Sequence, residues 1–218
     1  MVQVFDSVSK SNVKTFNVSN QQGVGMIEVL VTLFILSIGL LGVASLQFLS
    51  SLTNSDALNR SQSVMVAQEF SERLRANAVM SQVGDGMIVN NQYFDSDLYN
   101  FENLSCADGG TPYNCYCLEF PAGLANCISD ECSASELAAF DAYETSCAAV
   151  ASNPSAALSL ACSDNDDTDT DSCSTGSRHS IIISWPVQNW QNIDRVLNSE
   201  CNVDKTEPHD CVILDVTL

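Results

Sequence analysis

The chain has 218 residues, enough for one domain or two small ones, and its 27 acidic against 8 basic side chains give a formal charge of −19. So anionic a surface repels phosphate backbones, which argues against direct nucleic-acid binding and a DNA-uptake receptor role. The ten cysteines (106, 115, 117, 127, 132, 147, 162, 173, 201 and 211) are an even number, as expected of disulfides in an oxidising compartment. There is no CxxC pair, and Cys115-Tyr116-Cys117 has no His or Cys partners at zinc spacing.

Residues 1–23 are polar and without periodicity, and contain Lys10, Lys14 and Asp6. Gly23-Val24-Gly25-Met26-Ile27-Glu28 follows, and from Val29 to Ser55 no residue is charged. About 20 apolar residues are enough to span a bilayer. A carboxylate within such a segment costs roughly 2.5–3.5 kcal/mol, so Glu28 calls for a partner and a purpose. An ordinary signal peptide cut near Gly42-Val43-Ala44 competes, as do a plain anchor and a buried core helix. The long polar leader and the position of Glu28 disfavour the first; the length of the run disfavours the last.

The Gly23/Glu28 spacing resembles the type IV prepilin signal, in which a Gly precedes the cut and a Glu stands fifth after it. Val24, Gly25 and Met26 stand where Phe, Thr and Leu are usual. The resemblance implies that a prepilin peptidase cuts after Gly23 on the cytoplasmic side and methylates the amine of Val24. It also implies that Glu28 docks the subunit by pairing with the N-terminal amine of a neighbour. Pairing two charges in an apolar bundle offsets the cost of each. Loss of residues 1–23 removes two bases and one acid, taking the charge from −19 to −20.

Residues 24–78 read as one long helix, transmembrane in its first half. In the second half Val64, Ala67, Ser71, Leu74 and Ala78 recur at three- and four-residue steps, marking one small, apolar face. Glu69 precedes Arg73 by four and Glu72 precedes Arg75 by three, spacings that support a helix. Basic residues flank the apolar run on both sides, so the positive-inside rule is ambiguous; the cysteines, all C-terminal to it, place that side outside. The runs Arg60-Ser61-Gln62-Ser63 to Glu69 and Glu72-Arg73-Leu74-Arg75-Ala76-Asn77 are similar to the helix of PilV-type minor pilins. On physics alone, Arg73 and Arg75 read as solvated helix charges.

Asn, Asp, Ser and Gly dominate Ser81 to Pro112, which predicts loops and short elements. Asn114 to Phe120 alternates in part and reads as a strand. Ser133-Ala134-Ser135-Glu136 is a capping box opening a helix through about Val150, with Leu137, Phe140 and Glu144 at helical steps and Asn153-Pro154 to end it. His179 to Trp185, with Ile181-Ile182-Ile183, predicts a strand ending at Pro186; Cys211 to Leu218 predicts the last strand. The expected fold class is α+β and pilin-like: a long N-terminal helix on a small antiparallel sheet, with residues 79–218 as a cysteine-rich, disulfide-bonded head.

The resemblance also implies a Cys201–Cys211 bridge closing a C-terminal loop; the other eight cysteines have no connectivity readable from sequence. Asp167, Asp169 and Asp171 have the alternate spacing that opens a calcium loop, but Ser172 and Arg178 stand where such a loop needs Gly and Glu. A solvated acidic loop is the better reading. His179 and His209 have no arranged partners, and neither a Ser/His/Asp pattern nor a phosphate-cradling Gly loop occurs. No enzymatic activity and no cofactor are expected.

The resemblance implies a minor pilin that primes assembly in a tip complex, held first in the inner membrane with a periplasmic head and later displayed in the pilus at the cell surface. Implied partners are other minor pilins (FimU, PilW, PilX and PilE types), the major pilin and a PilY-type tip adhesin. A type II secretion pseudopilin is the alternative within the class, and a surface adhesion module the alternative outside it.

Overall fold

The computed structural model describes residues 23, 25–82, 84, 86–106, 109–166, 168, 172–187, 197–203 and 205–218. The chain divides into two units, residues 1–48 and 49–218. Helix α1, Met26–Ala76, runs through both. In the first unit every residue from Met26 to Phe48 is exposed, and the segment carries no charge beyond Glu28. Its hydroxyls are turned back on the helix: Thr32, Ser37 and Ser45 donate to the carbonyls of Val29, Leu33 and Leu41. A helix that satisfies its own polar groups this way is suited to an apolar surrounding.

In the second unit, Val66, Ala67, Phe70 and Leu74 of α1 are buried. The expected face is present in Ala67, Ser71 and Leu74, widened by Ser63, Val66 and Phe70. Arg73 and Arg75 fall in the last turn of α1, where cations complement the helix dipole. A two-residue hairpin follows, β1 (Val79–Met80) with β2 (Met87–Ile88). Its turn needs Gly86, which has φ +143° and would place a Cβ 3.1 Å from Thr175 Cβ.

Two 3-10 turns, Asn91–Phe94 and Ser96–Leu98, lead to a short helix α2, Pro112–Tyr116. The strand expected over 114–120 is therefore not formed. Thr111 caps α2 by accepting from the Asn114 amide, and Pro112 opens it, where a missing N–H costs nothing. Helix α3, Ala134–Ser152, begins at the expected capping box, with Ser133 and Glu136 each accepting from the other's backbone, and ends at Asn153. Its small residues Ala138, Ala142, Ser146 and Ala149 are buried.

The sheet has the order β3-β4-β5, all antiparallel: β3 is Ala157–Ser163, β4 Arg178–Pro186 and β5 His209–Thr217. Ile181 pairs with Leu160 and Leu214, Ile183 with Leu158 and Val212. Ile181, Ile183, Leu158, Leu160 and Leu214 share one core with Phe70, Leu74, Tyr93, Tyr99 and Ala142. Phe70 meets Tyr93 and Tyr99 at ring distances of 6.3 and 6.2 Å. A second, smaller core joins Phe101, Tyr143 and Val150. The outer edge of β3 is closed at one point by a side chain: Asn100 Oδ1 accepts from the Leu158 amide at 2.7 Å and Nδ2 donates to the Leu158 carbonyl at 2.8 Å.

Candidate functional site

Gly23 and Gly25 are exposed just before α1; Val24 lies outside the described residues. The Gly25 carbonyl accepts from the amides of Glu28 and Val29 at 2.9 and 3.3 Å, so the helix starts at this point. Glu28 stands exposed in the first turn, where a carboxylate complements the positive end of the helix dipole. Beyond it the apolar side chains from Val29 to Phe48 are all exposed, with none of them buried within the chain. A charge at the mouth and a bare apolar surface behind it is an arrangement made to be covered by something else.

The end of α1 carries a second constellation, reaching residues far along the chain. Asp141 of α3 is buried, and three donors converge on it: Arg73 Nη1 at 3.0 Å, Asn77 Nδ2 at 2.6 Å and the Tyr93 hydroxyl at 2.6 Å. Arg73 also holds Glu69 at 2.9 Å. Burial alone would lower the Arg73 pKa; the hydrogen bonds to Glu69 and Asp141, with the attraction of their charges, outweigh it and raise it. Burial first, then the bond to Asp141, pushes the Tyr93 phenol well up, so it stays a donor. Reading Arg73 as a solvated charge is thus corrected, whereas Arg75 does pair at the surface with Glu72 at 2.8 Å. Sequence reasoning missed Asp141 entirely, because nothing local marks a residue 68 positions from its partner. A further arginine, Arg60, reaches both carboxylate oxygens of Asp210 at 2.8 and 2.9 Å, fixing α1 to the start of β5.

All ten cysteines are paired: Cys106–Cys115, Cys117–Cys147, Cys127–Cys132, Cys162–Cys173 and Cys201–Cys211. Cys117–Cys147 ties the cysteine-rich segment to α3. Asp167, Asp169 and Asp171 lie outside the described residues. Among the described residues no group of three or more His, Cys, Asp or Glu is arranged to hold a metal ion. In the adjoining turn Asp164 is already occupied by the Ser174 amide and the Ser177 hydroxyl, both at 3.0 Å. Hydrogen bonds, those from Ser174 foremost, hold its carboxyl well below the usual range.

Residues 18–44 match the family described as the prokaryotic N-terminal methylation motif. No curated protein and no solved structure matches the chain. The motif indicates a protein of the type IV pilin or pseudopilin kind, on an α+β fold consistent with pilin architecture. It implies processing by a prepilin peptidase and assembly with other pilins, and it speaks for a structural protein rather than an enzyme; the apolar helix is long enough to cross a membrane, consistent with a membrane-anchored pilin.

Proposed function

We propose that this chain is a PilV-like minor pilin of a type IV pilus, helping to prime filament assembly as part of a tip complex. The observation that carries the reading is the methylation motif at 18–44 covering the start of a helix that is free of charge from Val29 to Ser55 and whose apolar surface from Met26 to Phe48 has no cover within the chain. In the proposed mechanism, cleavage after Gly23 frees the Val24 amine for methylation. The apolar helices of several subunits then pack together, and Glu28 pairs with a neighbour's terminal amine. Burying apolar surface drives the association, at about 25 cal/mol per Å²; the charge pair fixes its register. Residues 79–218 are proposed as the exported head, the similarity of the Arg60–Asn77 segment to PilV-type helices favours the pilus, and the large disulfide-bonded head supports it. A type II secretion pseudopilin shares the same signal chemistry, and deletion separates the two: loss of twitching supports the pilus, loss of enzyme secretion the pseudopilin.

The test is the mass of the N-terminal peptide in sheared surface filaments. A peptide beginning at methylated Val24 is expected; a chain found only in membranes and still carrying residues 1–23 overturns the reading.

A further inference from the structure

The smaller core opens to the surface as a slot of about 110 Å³ between residues 97–104, the cysteine-rich segment and α3. Its wall is made by Leu98, Phe101, Leu104, Pro121, Leu124 and Tyr143, with Ala139 at one side. Asp97 and Glu102 stand at its rim, exposed and in no ion pair among the described residues. Phe120, half-exposed, extends the apolar surface by packing edge-on against Tyr143 at 5.4 Å. The slot is rigidly framed. Cys117–Cys147 fixes the segment to α3, and Phe101 is stacked on Tyr116 at 4.6 Å. Phe101 also holds a φ of +65°, a conformation costly for a bulky residue, and so is kept in place by its surroundings.

We propose that this slot docks a segment of another protein in which one aliphatic side chain is flanked by lysine or arginine. The aliphatic group fills the slot and the cations meet Asp97 and Glu102. Charge argues for a partner of a different sequence. The formal charge of −19 sets a second copy against this one, and four of the five described Lys and Arg side chains, Arg60, Arg73, Arg75 and Arg178, are already paired with carboxylates of this chain, leaving Lys205 as the exception among the described residues. The same sign repels anionic lipid. The proposal uses the 49–218 unit alone and does not depend on the pilin reading.

The test uses the full chain in detergent and three fluorescent 12-residue peptides: one with leucine between two lysines, one with those lysines replaced by glutamate, and one with the leucine replaced by glycine. The leucine/lysine peptide is expected to bind with Kd below ~1 mM and the other two about tenfold or more weaker. Added salt should weaken the binding. Ala139→Phe fills the slot and should abolish it. The exposed double change Asp97→Asn, Glu102→Gln leaves packing untouched and should weaken it about tenfold. Equal binding of the three peptides, no binding at all, or no response to the Asp97/Glu102 change overturns the proposal. So does a concentration-dependent dimer lost on Ala139→Phe, which would give the slot to a second copy.

Discussion

Asp141 gathers a cation and two neutral donors in a site with little water, and the three donors are not equivalent. Removing the carboxylate strands the Tyr93 hydroxyl and the Asn77 amide, while Arg73, at 29% exposure, can turn to solvent. Removing Arg73 leaves a carboxylate at 4% exposure without its cation. Arg73→Ala is therefore expected to cost about 3 kcal/mol and Asn77→Ala about 1 kcal/mol, while Arg75→Ala stays within about 0.5 kcal/mol. Urea unfolding followed by near-ultraviolet circular dichroism ranks them, and an Arg75 effect equal to that of Arg73 would contradict the buried pair. His179 is a second residue with a measurable signature. It is buried in β4 with the Phe94 ring 5.7 Å away, and neither ring nitrogen makes a well-formed hydrogen bond among the described residues. Burial depresses its pKa, only partly offset by the backbone of Ser177 and Val216. Since the folded value lies below the ordinary 6.5, acidification protonates the unfolded chain first. The stability contribution is complete above 6.5 and is lost as pH falls through the folded value. Melting temperature should drop between pH 7 and 5 in the native protein and less in His179→Leu. Asp164, also depressed, contributes above its ordinary 3.8 and loses that contribution only in stronger acid, so the two windows are separable.

Among the elements, α1, α3, β4 and β5 were legible because their signals are local. A charge gap, a capping box and a run of three isoleucines each need only a few neighbouring residues. Two elements were not. β3, Ala-Leu-Ser-Leu-Ala-Cys-Ser, is built from poor strand formers, and its one clue is the alternation of Leu158 and Leu160. In α2 the partial alternation of 114–120 points to a strand, whereas the Thr111 cap and Pro112 just before it open a helix. Of the candidate site, the Gly23–Glu28 mouth could be read directly, whereas the Asp141 cluster needed the tertiary fold. Glu28 makes the prediction for α1: Glu28→Val should be cleaved normally but incorporated poorly into filaments, and wild-type piliation in that mutant would refute a docking role. For the cysteine-rich segment, replacing Cys117 and Cys147 by Ser removes its covalent tie to α3 and leaves only contacts such as Phe120 on Tyr143. A loss of about 2–4 kcal/mol is expected. Limited proteolysis should then cut within 106–132 before the rest of the head, and uniform resistance would argue against it.

At the scale of the whole molecule, one unit presents a bare apolar helix and the other a stapled, acidic body whose described arginines are paired internally. Attraction is thus confined to the helix and to specific contacts, while the bodies repel one another; high salt should relax that repulsion. Static light scattering of the full chain in detergent should show attraction between particles rising with ionic strength, and a salt-independent signal would count against it. An assembly that packs such bodies side by side raises another hazard. Its local protein concentration is far beyond that of free solution, and an unpaired strand edge there is a template for irreversible cross-linking of neighbours through their backbones. At Leu158 that template is denied, because the Asn100 amide has already taken the amide and carbonyl that a foreign strand would seek. One carboxamide thus works as insulation: with Asn100→Ala, crowded bodies should begin to stick sheet to sheet, slowly and without unfolding, as dye-binding aggregates that the native protein resists.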